Sequence, residues 1–416
     1  MKGVWLWMRF GGKELSLGLM VIFGTIFVFS GYRITLAPTI FIQSQKTVRN
    51  YTVDINIVGD PGNVSSNFSA NDTEECDYTK GSWIIDGDWP LYSGNRCKQW
   101  LSPMWACRKM QRQQFSYEKL RWLPHNCHVE SFQSLTFLQR MINKTIAYVG
   151  DSLGRQQFQS LMCMLTGGED RADVADVGRE FGLVKGRRAV RPDGWAYRFP
   201  ETNTTVLFYW SASLCDLEPI KISKRQTDFA MHLDRPPKFL QRYLPVINVL
   251  VLNTGHHWNF EKITGNRWEM HLNGLKYQTS LEEAKSLTVR GLVKWLDSQR
   301  ANHPDLRVFF RTISPRHYVN GDWNTGGLCE NETPNAVGNV LNINGSMDLF
   351  ATDVVKDTGV RILDITALSE VRDEGHVSKY RPHGALSLQH DCLHWCLPGV
   401  PDTWNEIFWY SLATTD

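Results

Sequence analysis

One serine in this chain has the surroundings of a nucleophile. Ser152 lies in the segment YVGDSLGRQQ, residues 148–157, after an apolar run and a glycine. The apolar run predicts a strand, Gly150 a turn, and the residues from Leu153 onward a helix. Ser152 would then lie at the carboxyl edge of a sheet and at a helix N-terminus, where backbone N–H groups can stabilise an oxyanion. The alternative is that Asp151 or Ser152 only caps the helix.

A polar cluster near the C-terminus could supply the base that such a serine needs. The segment HDCLHWC covers residues 390–396, with Asp391 and His394 three residues apart. A turn would place the carboxylate on the imidazole, so that His394 takes the Ser152 proton while Asp391 holds the ring tautomer. Two alternatives are a zinc site made of the closely spaced His and Cys residues, and a structural histidine packed under Trp395.

Two later strand ends carry further polar candidates. Asn253 follows the apolar run 249–252 and is a candidate oxyanion donor, with a turn-forming asparagine as the alternative. Arg311 follows another apolar run and could bind an anionic or hydroxyl-rich group, with a structural salt bridge as the alternative. The remaining candidates are Gly150 and Arg155 for the oxyanion or acyl site, and His256, Trp258 and Trp404 for substrate binding.

These residues need a scaffold, and the chain after residue 129 predicts one. Strand and helix patterns alternate over residues 129–416, which favours an α/β fold with a parallel sheet covered by helices on both sides. The predicted strands are Thr145–Val149, Thr205–Trp210, Val246–Leu252, Arg307–Ile313 and Val360–Ile365. The clearest predicted helices are Leu153–Leu165 and Leu281–Arg300.

The N-terminus predicts a membrane anchor. Residues 15–32 are apolar and uncharged, and at about 1.5 Å per residue they just span a ~30 Å hydrocarbon layer. Basic residues lie mainly before this run, which favours a cytoplasmic tail at 1–14 and a luminal body. A cleaved signal peptide is the alternative, but no convincing small-x-small site follows Phe29. Residues 33–74 are polar and without clear periodicity, which predicts a flexible luminal stem.

Two further features agree with a luminal body. The nine cysteines are expected to form disulfides in an oxidising compartment, with one left over, and their spacing leaves the pairing open. The chain also has eight Asn-x-Ser/Thr sequons, four of them crowded into the stem, as in a glycosylated segment. The sequon asparagines are Asn50, Asn63, Asn67, Asn71, Asn143, Asn203, Asn331 and Asn344.

The composition indicates a folded protein and gives no sign of a nucleic-acid partner. A hydrophobic content of 42% over 416 residues can supply a real core, and a formal charge of +2 gives no indication of a nucleic-acid partner. Most of the 16 tryptophans are expected in packing, although a tryptophan face also stacks well on a sugar ring. Residues 75–128 hold four cysteines among Gly, Trp and Pro, which predicts a small loop-rich lobe stapled by disulfides.

The motifs taken together resemble a known family. The Gly-Asp-Ser of residues 150–152, with Asp391-x-x-His394, is similar to the GDSL/SGNH esterase arrangement. The wider set resembles the plant trichome birefringence-like family of cell-wall polysaccharide O-acetyltransferases, over about residues 75–412. It comprises CD at 76–77, GSW at 81–83, PLY at 90–92, RW at 121–122, GDSLGRQQ at 150–157, NTGHHW at 253–258, RT at 311–312 and DCLHWCLPGVPDTWNE at 391–406.

This resemblance implies a Golgi membrane protein, single-pass and type II, with a small N-terminal lobe and an esterase-like catalytic domain in the lumen. Family members acetylate xylan, xyloglucan, mannan or pectin. Ser152 would become acetyl-Ser152, and His394 would deprotonate first Ser152 and then a sugar hydroxyl. No bound cofactor is implied, only an acetyl donor such as acetyl-CoA or another acetyl carrier. At Gln156 many relatives have Asn, so the resemblance gives that side chain no role.

The resemblance also implies a disulfide pattern. The pairs would be Cys76–Cys127, Cys97–Cys163, Cys107–Cys392 and Cys329–Cys396, with Cys215 free. In this pattern the small lobe is stapled to the segment that carries the proposed base.

Two rival functions remain open at this point. A polysaccharide acetylesterase would use the same three residues with water as acceptor. A non-enzymatic protein that binds or bridges wall polysaccharides such as pectin would use tryptophans and a run of basic residues. The alternative for that basic run is a solvated loop. Its members are Lys185, Arg187, Arg188 and Arg191.

Overall fold

The computed structural model describes residues 76–186, 191–221, 227–338, 340–341, 346–381 and 389–413. The predicted cytoplasmic tail, membrane span and stem lie outside these residues. Within the described part of the chain, none of the helices has the length and apolar character that crossing a membrane requires.

The described residues form sixteen strands in four sheets. The strands are β1 Gly81–Ile85, β2 Leu120–Pro124, β3 Thr145–Gly150, β4 Ala175–Asp176, β5 Gly194–Phe199, β6 Thr204–Trp210, β7 Asp216–Pro219, β8 Phe229–His232, β9 Val249–Leu252, β10 Trp268–Leu272, β11 Leu275–Lys276, β12 Arg307–Arg311, β13 Val340–Leu341, β14 Arg361–Leu363, β15 His376–Ser378 and β16 Asp391–Trp395.

The helices of the described residues vary from one turn to five. They are α1 Ser134–Arg140, α2 Ser152–Thr166, α3 Lys238–Tyr243, α4 Phe260–Gly265, α5 Leu281–Gln299, α6 Leu349–Val355, α7 Thr366–Glu370 and α8 Val400–Ala413. Short 3₁₀ helices add to them at Pro103–Trp105, Cys107–Lys109, Ser116–Lys119, Gly178–Phe181, Leu244–Val246 and Asp373–Gly375.

The largest sheet has seven strands in the order β14-β12-β9-β3-β6-β5-β4. The five strands from β14 to β6 are parallel, whereas β5 pairs antiparallel with both β6 and β4. The prediction of a parallel sheet is therefore wrong at this edge, because residues 200–203 between β5 and β6 are too few for a helical crossover. Since β3 has β6 on one side and β9 on the other, strand order reverses beside β3, where α/β sheets bind ligands.

Both faces of this sheet are buried. In β3, Ile146 and Tyr148 pack into one apolar cluster with α2 and α8, while Ala147 and Val149 pack into another with α3, α5 and α6. This alternation explains why the strand is buried at every position from Ile146 to Gly150, as expected for a parallel strand covered on both sides. The two helical layers hold the carboxyl ends of β3, β9 and β12 at one edge.

The small N-terminal lobe joins the rest of the chain through a shared sheet. Strands β1 and β2 pair antiparallel, and β13 from the C-terminal part pairs with β1. Trp83 of β1 is fully buried, and its Nε1 donates to the carbonyl of Leu368 at 2.9 Å. The other two sheets are β11-β10-β8-β7 and β15-β16.

Two of the four expected disulfides are present, and two are paired differently. The structure forms Cys76–Cys127 and Cys97–Cys163, and Cys215 is free and buried. The expected pairs Cys107–Cys392 and Cys329–Cys396 are wrong, and the structure pairs these four cysteines as Cys107–Cys396 and Cys329–Cys392.

Backbone hydrogen bonds explain the exchange of partners. The N–H of Leu397 donates to the carbonyl of Trp105, which brings Cys396 beside Cys107. The N–H of Cys329 donates to His390 Nδ1 at 3.2 Å, and His390 lies two residues before Cys392, which brings the other pair together. The lobe is therefore attached to this segment through Cys396, two residues after His394, and not through Cys392, two residues before it.

Candidate active site

Asp151, and not Ser152, caps helix α2. The Asp151 side chain accepts a hydrogen bond from the N–H of Leu153 at 2.9 Å, as an N-cap residue does. Ser152 is the first residue of the helix, so its hydroxyl is released from capping. The positive end of the helix dipole then lies beneath this hydroxyl.

Three predicted residues meet in one hydrogen-bonded chain. Ser152 Oγ lies 2.7 Å from His394 Nε2, and His394 Nδ1 lies 2.9 Å from Asp391 Oδ2. In this arrangement Nδ1–H donates to the carboxylate and Nε2 accepts the serine proton. The arrangement can activate a serine for attack on an acyl carbon.

A bulged strand, where we expected a turn, lets Asp391 reach His394. Residues three apart in a regular strand face opposite sides. Between its two paired positions, β16 runs from Asp391 to Trp395 while β15 runs only from His376 to Ser378. The extra residues fold β16 around the carboxylate, whose Oδ1 accepts the N–H of His394 at 3.0 Å.

The electrostatics keep Asp391 ionised. Burial by itself raises the pKa of Asp391, but the adjacent His394, through charge and hydrogen bonds, and the charge of Arg381 together lower it below its ordinary value. An ionised Asp391 holds the ring tautomer and stabilises the imidazolium that forms when His394 takes a proton.

Gln156 joins the helix that carries Ser152 to the strand that carries His394. Its Nε2 donates to the carbonyl of Trp395 at 2.6 Å, and its Oε1 accepts the N–H of Trp395 at 3.1 Å. Gln156 lies one turn after Ser152, and Trp395 directly follows His394. This fully buried pair of bonds therefore fixes the separation between the serine and the imidazole.

Trp105 of the small lobe packs against the imidazole. Its ring is stacked on His394, with 5.6 Å between ring centres and 28° between planes. Arg155 was a candidate for the oxyanion site, and this is wrong, because its guanidinium is buried against Trp105 and donates to Ser102 Oγ at 2.7 Å. Burial lowers the pKa of Arg155 to about 10. Arg155 thus anchors the lobe to α2.

Asn253 lies against the turn that presents Ser152. Its Nδ2 donates to Asp151 Oδ1 at 2.6 Å. Its Oδ1 would lie only 2.0 Å from a Cβ at Gly150 and 2.2 Å from one at Gly154. Both glycines of the motif are therefore required by the close approach of this amide. Asn253 has a second amide hydrogen, so its predicted role as an oxyanion donor stays a prediction.

A cavity of about 170 Å³ opens beside the three residues. Among the predicted substrate residues, His256 lines it, and His256 Nε2 donates to the carbonyl of Ser314 at 2.8 Å. Burial lowers the pKa of His256 to about 4, so the ring is neutral near pH 7 and its Nδ1 is an acceptor. His257 also lines the cavity, and its buried Nδ1 has no hydrogen-bond partner among the described residues.

Two predicted substrate residues are instead part of the core. Trp404 is 0% exposed and Arg311 is 1% exposed, so neither can contact a substrate, and both predictions are wrong. The Arg311 guanidinium lies over the Trp404 ring, and its Nη1 donates to the carbonyl of Leu153 at 3.1 Å. The arginine that ends β12 therefore supports the first turn of α2. Trp258 lines a neighbouring cavity, where its Nε1 donates to Thr254 Oγ1.

Most residues of the cavity wall were not among the site residues predicted from the sequence. His256, His257, Ser152, Asp391 and His394 have been described above. The other residues of the wall are Asn259, Lys262, Arg316, Tyr318, Trp323, Arg381, Gln389, His390 and Leu393. The available signal was the polar run after β12, in which Arg316 follows Arg311 by five residues and Trp323 follows it by twelve. The sequence has two arginines here, Arg311 and Arg316. Arg311, which is buried, was predicted to bind substrate because it directly follows the apolar residues of the strand.

The other predicted sites fall in different parts of the molecule. Asn143 and Asn203 are exposed on adjacent turns, and Asn203 Nδ2 donates to Asn143 Oδ1 at 3.0 Å. Asn331 is half-buried and donates to Asp373 at 2.8 Å. Their glycosylation stays a prediction, and the other five sequons lie outside the described residues. The zinc alternative loses its thiolates, because Cys392 and Cys396 are both in disulfides.

Comparison with known proteins relates this site to an acyl-esterase domain. Residues 129–411 match the model of the GDSL/SGNH-like acyl-esterase family found in Pmr5 and Cas1p, and residues 74–128 match the model of the PMR5 N-terminal domain. The chain belongs to this acyl-esterase family. The acyl-esterase match contains Ser152, Asp391 and His394, and the N-terminal match contains Trp105.

Relatives in Arabidopsis thaliana give the same assignment. Protein trichome birefringence-like 14 is 54% identical over 358 residues, which are 82% of this chain and 88% of the relative. Protein trichome birefringence-like 15 is 51% identical over 352 residues, 82% of this chain and 71% of the relative. Protein trichome birefringence is 31% identical over 354 residues, 82% of this chain and 56% of the relative. The chain is therefore a member of the trichome birefringence-like proteins.

Proposed function

We propose that this protein is an O-acetyltransferase that adds acetyl groups to hydroxyls of plant cell-wall polysaccharides through an acetyl-Ser152 intermediate. The observation that carries the proposal is the hydrogen-bonded chain from Ser152 through His394 to Asp391 at the wall of a cavity. Membership of an acyl-esterase family supports the acyl chemistry. The motif resemblance supports a polysaccharide hydroxyl as the acceptor.

The reaction proceeds in two matched halves. Ser152 Oγ attacks the carbonyl carbon of the acetyl donor while His394 Nε2 takes its proton, and the leaving group departs with that proton. A polysaccharide hydroxyl then gives its proton to His394 and attacks the acetyl carbon. The bond to Ser152 Oγ breaks, and Ser152 takes the proton back. Asp391 stabilises the imidazolium in both halves.

The oxyanion of each half-reaction would form beside the first turn of α2. Backbone N–H groups at a helix start lack carbonyl partners within the helix, and Asn253 Nδ2 lies 2.6 Å from Asp151, next to the nucleophile. We assign the oxyanion site to these groups, with Gly150 allowing Asn253 to approach.

The proposal includes a place in the cell. The protein would be a single-pass type II membrane protein of the Golgi, with its catalytic domain in the lumen and an acetyl donor such as acetyl-CoA or another acetyl carrier. Four disulfides support an oxidising compartment, because such bonds are rare in the reducing cytosol. The serine, histidine and aspartate require no bound cofactor.

Acetyl transfer by the full-length protein tests the proposal. Wild type and Ser152→Ala are incubated with a labelled acetyl donor and deacetylated wall glycans. We expect Ser152→Ala to lower transfer at least about 10³-fold, because no other group at this position can carry the acetyl group. Mass spectrometry of trapped wild type should find the acetyl group on the peptide that contains Ser152.

The same assay separates the rival functions. Acetyl release to water without transfer would identify an acetylesterase. Glycan binding without either reaction would identify a binding or bridging protein. Transfer that survives Ser152→Ala would contradict the proposed intermediate.

A further inference from the structure

The cavity beside Ser152 carries an excess of positive charge. Lys262, Arg316 and Arg381 line it, and among the described lining residues Asp391 is the one carboxylate. Asp391 already contacts His394 Nδ1 at 2.9 Å and Arg381 at 3.7 Å. The one negative charge of the wall is therefore already paired with His394 and Arg381. Lys262 and Arg316 are left to bind a group other than Asp391.

Lys262 is held in place but not neutralised. Asn259 accepts the N–H of Lys262 at 2.9 Å and donates to the carbonyl of His256 at 2.8 Å, which fixes α4 to the cavity wall. Lys262 Nζ lies 4.7 Å from the centre of the Trp323 ring, and among the described residues it has no carboxylate partner. Arg316 has one partner, Asp322 at 2.8 Å, in a half-exposed pair of modest strength.

Trp323 supplies a flat surface in the same wall. It is half-buried and lines the cavity. The face of an indole packs well against the C–H face of a pyranose ring, and its π electrons also attract the neighbouring ammonium. A sugar ring on Trp323 would bring its substituents close to Lys262.

We propose that the acceptor bound in this cavity is an acidic, uronate-containing polysaccharide, with Trp323 stacking on a sugar ring and Lys262 and Arg316 binding uronate carboxylates. This inference rests on the function proposed above. A neutral glycan would cover the Lys262 ammonium without giving it a counter-charge, which is unfavourable. A carboxylate offers that charge together with strong, charge-assisted hydrogen bonds.

Binding measurements on the full-length Ser152→Ala protein test this proposal without turnover. The probes are an oligogalacturonate and a neutral xylo-oligosaccharide of the same length. We expect the oligogalacturonate to bind at least about tenfold more tightly at low salt, and this preference to shrink as salt is added. Lys262→Gln with Arg316→Gln should lower the affinity for the oligogalacturonate about tenfold or more and change the affinity for the neutral chain little.

Two further variants make the test specific. Trp323→Ala should weaken both oligosaccharides, because stacking does not depend on the carboxylate. Lys294→Gln, at an exposed position of α5 outside the cavity, should weaken neither. Equal affinity for the two oligosaccharides, or an oligogalacturonate affinity that the double variant leaves unchanged, would overturn the proposal.

An anionic acetyl donor could bind the same two cations, so a competition experiment tests for donor binding at this site. Adenosine 3′,5′-bisphosphate, which carries phosphates like those of a CoA donor, should not displace the oligogalacturonate. Displacement would assign Lys262 and Arg316 to the donor and overturn the acceptor assignment. Transfer by wild type to neutral glycans alone would also overturn it while leaving the acetyltransferase function intact. Uronate binding without transfer to any glycan would instead contradict the acetyltransferase function.

Discussion

At the scale of single residues, the site depends on side chains that hold Ser152 and His394 at hydrogen-bond distance. Gln156 is the clearest example, since both of its polar atoms bond the backbone of Trp395. The resemblance gave this side chain no role, whereas these two bonds join the helix of Ser152 to the strand of His394. Asparagine at this position would be one methylene shorter and would need a closer approach of the two elements.

Replacing Gln156 should therefore act on the rate more than on binding. Gln156→Leu removes both bonds and should lower kcat about 10- to 100-fold with a small change in KM, because His394 is no longer held in line with Ser152. Gln156→Asn should retain part of the activity. Steady-state acetyl transfer at a temperature where each variant is folded measures the split. Equal activity of Gln156→Leu and wild type would show that the strand holds the base without this contact.

At the scale of elements, helix α8 combines an apolar surface with buried acids. Asp402 accepts bonds from Ser160, from Tyr92 and from the N–H of Gly399. Burial raises the pKa of Asp402 to about 7, and burial likewise raises that of Glu406 to about 7. The helix that covers α2 therefore links folding to pH.

The sign of this linkage follows from the direction of the shifts. Between the ordinary carboxyl pKa near 4 and the raised value near 7, the folded protein binds more protons than the unfolded chain. The stability from these groups is fully present below about pH 4 and is lost as the pH rises through about 7. The contribution of these two carboxyl groups to the free energy of unfolding should thus fall between about pH 4 and pH 7, by the order of a few kcal/mol.

Urea unfolding at several pH values measures this effect. In Asp402→Asn the fall in unfolding free energy with pH should be smaller than in wild type. Asp305→Asn, at an exposed carboxylate, is the control and should keep the wild-type dependence. A dependence in Asp402→Asn as steep as in wild type would rule out Asp402 as its source.

At the scale of the whole molecule, the small lobe forms part of the site. Trp105 stacks on the His394 imidazole, and Cys107, two residues later, is bonded to Cys396, two residues after His394. The lobe also shares a sheet with β13. These contacts give the lobe a positioning role toward His394 that its loop-rich sequence does not indicate.

Removing single disulfides should separate positioning from stability. Cys107→Ser with Cys396→Ser opens a cross-link over 289 residues, and Cys76→Ser with Cys127→Ser opens one over 51 residues within the lobe. Each change should lower the free energy of unfolding by about 2–5 kcal/mol. Only the first should also lower kcat in the folded variant, because it alone borders His394. Equal losses of kcat in both variants would contradict a positioning role for the Cys107–Cys396 bond.

Much of the scaffold was predictable because its signal is local. The five predicted strands correspond to β3, β6, β9, β12 and β14, and the two predicted helices correspond to α2 and α5 within a few residues. Helix α8 was missed because it is buried on nearly every side, so its sequence lacks the one-sided apolar stripe of a surface helix. The edge strand β4 was missed because an exposed strand of two residues has a weak pattern.

The sequence by itself determined the types of the reacting groups and the elements that carry them. A serine after a buried strand and an Asp-x-x-His segment near the C-terminus are local patterns, and their chemistry limits how they can act together. Only the tertiary structure decided that Asp151 caps the helix, that Arg311 and Trp404 are in the core, and that Lys262 and Trp323 reach the cavity. These outcomes depend on contacts between distant parts of the chain, and spacing along the sequence does not encode which side of a helix, strand or loop faces the site.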